Sequence, residues 1–383
     1  MTIQIGVFLS LFLSLILISK KNKAISDWIL FAWLVTIAIT LTLFILQTNK
    51  ERNTYPSFLG WGFPFPLLQW PFLYLYVSTL TSKDKLNFKS LLHFIPFFLS
   101  ILLFANYLFL PNSTKLSIYN QHGAGFETHM SINLIAIILS AIIYTIVSLN
   151  TLWKYKKSIK NEFSYLEKIN LNWLLYIIIG MTCILLIILS GLSDKYIFSS
   201  ITGLVIFIGY FGIKQVGVFS QIHSIDNTLN INSPFNKLKQ YTNKNDVIST
   251  SDIAIKYQKS TLNEDAILKI HEDLKELMKS HEIFKNAELT LDILSEKLNV
   301  LPNHLSQVIN SIENKNFYDY INQLRIEEFK SLITKPEKQK YTLLALAFEC
   351  GFNSKTSFNR NFKKVTGFTP SEYIQKEKLK IRD

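Results

Sequence analysis

Seven apolar blocks, each almost free of charge, fill the first 217 residues and leave that part of the chain little choice of fold. They run 3–19, 27–47, 63–80, 91–110, 131–152, 171–190 and 196–217. Crossing a bilayer takes ~20 apolar residues, within a range of about 17 to 25. A backbone inside lipid must satisfy its own hydrogen bonds, so blocks of this length read as helices. The expectation is an all-α chain opening with a seven-helix transmembrane bundle. The first block has a signal peptide's length but lacks a positive leading segment and a small-residue cleavage site. Its charges, Lys20, Lys21 and Lys23, follow the apolar run, so it reads as a first span with the N-terminus outside.

The lysines agree with that orientation. With the N-terminus outside, the cytoplasmic loops 20–26, 81–90 and 153–170 carry eleven lysines, and the opposite loops carry only Lys50, Arg52, Lys115 and Lys195. Positive charge is retained on the cytoplasmic side. An odd number of crossings then delivers residues 218–383 to the cytoplasm, which implies a multi-pass protein of the inner membrane. The third block is the weak point, because Pro64, Pro66 and Pro71 kink or shorten a helix. It reads as a broken but spanning helix; a re-entrant segment is the alternative and would change the count.

Composition changes sharply after residue 217. The first part holds 16 Lys+Arg against 7 Asp+Glu, and the remainder 24 against 21, so most of the formal +12 belongs to the apolar half. Basic pI is therefore no footprint of nucleic acid here. The spans hold almost no ionisable residues, which disfavours ion or proton-coupled transport. His93, near the start of the fourth block with Pro96 close by, either lines a ligand site or bonds a neighbouring helix, the commoner arrangement. The segment 111–130, with His122, Gly123, Gly125, Glu127 and His129, is the longest outer loop; it is a solvated connector or a contact for a signal. Cys183 and Cys350 have no partner at metal or disulfide spacing and read as reduced, inert thiols, with no metal or cofactor expected.

Residues 218–260 are rich in Asn, Ser, Thr and Lys and read as a flexible tether with an r.m.s. span of about 35 Å. Thr261 and Glu264 have the spacing of a capping box. The following stripe of Ile267, Ile270, Leu274, Leu277 and Met278 packs on the next domain or, less commonly, forms a dimer seam.

From Leu289 a pattern appears twice. In LTLDILSEKLNVLPNHLSQVINSI, Thr290 caps a first helix and Ser295 is small where two helices cross. Asn299 takes a turn position that needs positive φ, and Val300, Leu305, Val308 and Ile309 form a buried face. About fifty residues on, TLLALAFECGFNSKTSFNRNFKK repeats it: Ala347 is the small residue, Gly351 the turn, and Phe352, Phe358 and Phe362 the buried face. Two helix-turn-helix units in one small domain are the expectation.

These residues resemble the AraC/XylS family of bacterial transcriptional regulators. The closing stretch LALAFECGFNSKTSFNRNFKKVTGFTPSEY carries most of the likeness, through Ala347, Gly351, Phe352, Phe358, Arg360, Phe362, Lys363, Lys364, Gly367, Pro370 and Tyr373. The apolar half is more loosely similar to membrane-anchored members with multi-span N-terminal domains. The resemblance implies a rigid linker helix, here Phe317 to Ile333, holding two recognition helices in successive major grooves on one face of DNA. It also implies a layout of 1–217 as a transmembrane sensor, 218–260 as tether and 261–383 as DNA-binding domain.

The side chains suit that use. Asn303, Ser306 and Gln307 lie opposite Leu305 and Ile309, and amides can bond adenine at N6 and N7. Lys355, Thr356, Asn359 and Arg360 form the exposed face of the second recognition helix, where Arg360 can grip guanine with two bonds. Lys363 and Lys364 suit phosphate. Three departures weaken the first unit: Asn299 replaces the usual glycine, Ser295 the usual alanine, and Gln307 stands where many members have arginine. The expected partners are promoter DNA, the membrane, an unidentified signal ligand or protein, and a second copy of the chain. No phosphate-binding loop, kinase glycine loop, H-E-x-x-H or G-x-S-x-G occurs, so an enzyme is not expected. The competing reading is a membrane scaffold or receptor whose C-terminal domain binds protein.

Overall fold

A computed structural model of the chain describes residues 1–48, 51–81, 87–167, 169–211, 263–338 and 340–380. The tether expected at 218–260, and Thr261, lie outside them. Every regular element among the described residues is a helix; one isolated antiparallel bridge joins Phe163 to Thr290. The chain divides into two compact units. One comprises Met1–Tyr155 and Leu171–His223, the other Lys156–Asn170 and Ser224–Asp383. The layout expected from sequence kept 1–217 together, whereas the contacts group 156–170 with the C-terminal unit.

In the first unit, helices α1 (Thr2–Ser19) and α2 (Ile25–Leu46) are joined by a tight turn. The Asp27 carboxylate fixes it by accepting from the Ala24 N–H and the Lys20 ammonium, both at 2.7 Å. Helix α3 (Pro66–Thr81) opens on Pro66, where a missing N–H is harmless, and carries Pro71 inside. A 3-10 turn (Phe88–Phe94) leads into α4 (Ile95–Leu103), followed by α5 (Ala105–Leu108) and α6 (Asn112–Asn120). Helix α6 gives the segment 111–130, expected from sequence to be a loop, regular structure that sequence did not suggest. Then come α7 (Glu127–Glu162), of which the part up to Tyr155 belongs to this unit, α8 (Asn172–Leu189) and α9 (194–211).

By length and composition, α1, α2, α7 and α8 are each able to cross a membrane. Helix α3 has 16 residues and the Phe88–Leu103 stretch is also short, so four of the seven expected spans meet that criterion among the described residues. Helix α7 runs ten residues past the block expected to end at 152. Its 36 residues reach about 54 Å, well beyond the ~30 Å of a bilayer's apolar core.

Specific polar ties join the helices. Trp33 Nε1 donates to Gln69 Oε1 at 2.9 Å, and Ser100 Oγ donates to Asn133 Oδ1 at 2.7 Å. His93 Nδ1 lies 2.9 Å from the Tyr144 hydroxyl, the neighbouring-helix arrangement. Outward, α7 bares Ile135, Leu139, Ile142 and Ile146, and α8 bares Ile179 and Leu186. A continuous apolar surface of this kind is unfavourable in water and natural in lipid.

The second unit is built from α10 (Glu264–His281), α11 (Leu291–Lys297), α12 (Pro302–Ile312), α13 (Phe317–Thr334), α14 (Leu343–Glu349), α15 (Lys355–Thr366) and α16 (Pro370–Lys380). Asn263 stands at the start of α10 and Glu264 is its first residue, which corrects the capping box expected from Thr261. The α10 stripe packs inward: Leu274 and Met278 join Leu291, Leu294, Leu305 and Ile309 in one core, with Ile270 and Leu277 against it. A second core gathers Leu346, Ala347, Cys350, Phe352, Phe358 and Phe362. Helix α13 serves both, giving Phe317, Tyr320 and Ile321 to the first and Ile326, Phe329 and Leu332 to the second. One stiff helix thus fixes the distance and angle between two small subdomains.

Candidate nucleic-acid interface

The two turns are built alike, down to single hydrogen bonds. In the first, Asn299 has φ +53°, its N–H donates to Glu296 O at 3.1 Å, and Val300 N–H donates to Ser295 O at 3.0 Å. In the second, Gly351 has φ +96°, its N–H donates to Phe348 O at 3.0 Å, and Phe352 N–H donates to Ala347 O at 3.1 Å. Both are Schellman endings, in which a left-handed residue lets two amides recapture the last free carbonyls. The helix before each turn is capped by a threonine. Thr290 Oγ1 accepts from Ile293 N–H and Thr342 Oγ1 from Ala345 N–H, each at 3.2 Å. Ser295 and Ala347 are buried where the helices cross, as their small size requires.

Why glycine occupies only the second turn follows from its surroundings. A Cβ on Gly351, which is buried, would lie 2.7 Å from the Lys285 carbonyl oxygen, whereas Asn299 is exposed. The departure at Asn299 is thus compatible with a fully formed turn.

The recognition helices display the residues expected of them. Along α12, Leu305, Val308 and Ile309 are fully buried while Asn303 and Gln307 are exposed. Ser306 is half-buried, its carbonyl and hydroxyl both accepting from Asn310 Nδ2. Along α15, Phe358 and Phe362 are buried and Lys355, Thr356, Arg360, Lys363 and Lys364 are exposed, with Asn359 half-buried. Ser354 caps this helix, accepting from Ser357 N–H at 3.0 Å. The helix carries four cations and no acid, whereas α12 carries no Lys, Arg, Asp or Glu. Phosphate attraction is therefore concentrated on the second unit.

Residues that the sequence did not single out hold α15 against the linker helix. The Tyr318 hydroxyl accepts from Arg360 Nη2 at 2.8 Å and from the buried Asn361 Nδ2 at 2.7 Å. Lys364 Nζ meets Asp319 Oδ1 at 2.6 Å. Arg360 is also paired with Glu167, 3.3 Å away, while about half of its side chain stays exposed. Deeper still, α13 buries Arg325 at 1% exposure. All five of its N–H groups are used: Nε on Phe284 O, Nη1 on Ser164 O and Asn322 Oδ1, Nη2 on Ser164 Oγ and Asn286 O. Burial draws this guanidinium down to about 10, against the opposing pull of Tyr318 and Glu167, so it stays charged at neutral pH. No local signal in the LRIEEF stretch separates Arg325 from an ordinary surface cation.

Two helix-turn-helix units on a shared linker helix define the C-terminal domain as an AraC-type helix-turn-helix domain. A family model described as a helix-turn-helix domain matches residues 294–376, the stretch from the end of α11 into α16. An uncharacterized HTH-type transcriptional regulator of Staphylococcus aureus (strain COL) is 26% identical over 168 residues, which is 43% of this chain and 22% of the relative. The uncharacterized HTH-type transcriptional regulator YtdP of Bacillus subtilis is 28% identical over 92 residues, 24% of this chain and 12% of its own. A further one, YpdC of Escherichia coli (strain K12), is 28% identical over 85 residues, 22% of this chain and 29% of its own. The chain thus spans about a fifth of the length of the first of these relatives. No solved structure matches the chain.

Proposed function

We propose that this chain is a membrane-bound transcriptional regulator that binds promoter DNA sequence-specifically through α12 and α15. One observation carries the reading: two identically built helix-turn-helix units sit at the two ends of one rigid helix, each turning a polar face outward. Asn303, Ser306 and Gln307 on α12 read bases, as do Lys355, Thr356, Asn359 and Arg360 on α15. Lys363 and Lys364 bind phosphate. The relatives' description as transcriptional regulators supports this use.

The apolar half is the anchor and the input. Four helices long and apolar enough to cross support a membrane anchor, and the apolar blocks and loop lysines of the sequence support its reading as seven crossings of the inner membrane, with the N-terminus outside and α10–α16 in the cytoplasm. Among the described residues, none of the observed contacts favours the scaffold alternative over DNA binding.

Selection of the detergent-solubilised full chain on a randomised duplex library, repeated at higher salt, tests the proposal. Enrichment of a defined site that survives added salt supports it. Capture that is equal for all sequences and vanishes with salt is the signature of unspecific binding and counts against it.

A further inference from the structure

The segment 163–167 lies in sequence between two apolar helices, directly after α7 and shortly before α8, yet it is built into the helix-turn-helix unit. Phe163 forms the antiparallel bridge with Thr290, the cap of α11. Ser164 is buried, and each of its polar atoms is used. Its N–H and hydroxyl both donate to Leu289 O, at 3.2 and 2.7 Å. Its carbonyl accepts from Asn322 Nδ2 and Arg325 Nη1, at 3.0 and 3.2 Å, and its hydroxyl accepts from Arg325 Nη2 at 3.1 Å. Three residues further on, Glu167 reaches the Arg360 guanidinium. Leu166 is buried as well. One short strand of backbone therefore touches the cap of the first unit, the centre of the linker and the recognition helix of the second.

We infer that residues 163–167 form a releasable latch on the DNA-reading face. Docked, the segment fixes both units on α13 and sets a carboxylate against the arginine meant for guanine; withdrawn, it frees Arg360. The inference rests on the reading of α15 as a DNA-reading helix. Its physical basis is competition. Glu167 satisfies part of Arg360 and brings negative charge to a face that has to receive a polyanion. The anchor at Ser164 is strong, because a buried guanidinium that loses partners is costly. The contact at Glu167 is weak, because it is long, at 3.3 Å, and half of the Arg360 side chain faces solvent. A segment tied covalently to two apolar helices is drawn by a shift in either of them.

The test uses the full chain in lipid nanodiscs and a duplex selected from a randomised library. Glu167→Gln keeps the fold and removes the competing charge, so affinity for the duplex should rise about two- to fivefold. In a second variant, Phe163→Cys with Thr290→Cys, oxidation should close a disulfide across the bridge and weaken duplex binding, with recovery on reduction. Unchanged affinity in Glu167→Gln together with unchanged binding by the cross-linked form overturns the latch while leaving DNA recognition intact. Failure of the two cysteines to pair overturns the docking itself. Absence of selective DNA binding by wild type, both variants and reduced protein overturns the reading on which the latch rests.

Discussion

Arg325 donates to both the carbonyl and the hydroxyl of Ser164, at 3.2 and 3.1 Å, across 161 positions of sequence. A charge buried in the middle of the linker helix is thus solvated in part by a segment that precedes the whole helix-turn-helix domain. The arrangement has consequences that can be measured.

Replacing Arg325 by Leu strips partners from the carbonyls of Phe284, Asn286 and Ser164 at once. The C-terminal unit should lose about 3 kcal/mol or more, read by pulse proteolysis of the full chain in denaturant. Arg325→Lys should recover only part of this, because an ammonium cannot make five planar donations.

The same geometry bears on fragments. A fragment limited to 263–383 lacks Ser164 and leaves Arg325 short of two of its five hydrogen bonds. Added in trans, a peptide of residues 156–170 should raise its melting temperature by several degrees, since about 1 kcal/mol moves a domain of this size by roughly 4–8 °C. A melting temperature that ignores the peptide would show that the docking contributes nothing.

The two turns predict opposite responses. Gly351→Ala places a methyl carbon against the Lys285 carbonyl in a left-handed backbone, and should destabilise the second unit by more than about 1 kcal/mol. Asn299→Gly relieves a non-glycine residue at φ +53° and should leave the unfolding midpoint unchanged or raise it. Denaturant titration of both variants checks the pair.

Cys350 is buried, and burial pushes its thiol up to about 12. The unfolded chain ionises this group near pH 8.5, so the folded state holds the proton more tightly. Its contribution to stability is complete below about pH 8.5 and is lost as pH rises toward 12. In native protein at pH 8, iodoacetamide should leave Cys350 unmodified, by mass spectrometry, and denaturant should expose it.

Which parts of this structure could be read from the chain depends on the range of the interaction. Asn299, Gly351, Thr290 and the paired small residues Ser295 and Ala347 act within a few residues of themselves, so spacing alone exposes the two turns. The faces of α12 and α15 follow from helical period. The anchoring of α15 by Tyr318, and of the linker by Ser164, depends on chain segments brought together only by folding, and no local pattern marks them. The same limit applies to α7: composition marks where its apolar block ends, whereas the helix continues through KYKKSIKNE to Glu162 because those residues form helix readily in water.

Base reading and phosphate contact separate by their salt response. Arg360→Ala should abolish preference for the selected site, while Lys363→Ala should weaken binding to all sequences alike and lower the salt slope by about 1. Competition titrations at two salt concentrations distinguish them.

The most direct measurement inserts about half a helical turn, roughly 5 bp, between the two elements of a duplex selected by the full chain. Two recognition helices on one rigid linker must read two elements at one fixed spacing on the same face, so affinity should collapse and stay low even when the insertion is extended to about a full turn, which moves the elements about 34 Å further apart. A site whose affinity ignores the insertion, or that holds a single short element, would contradict reading by both units.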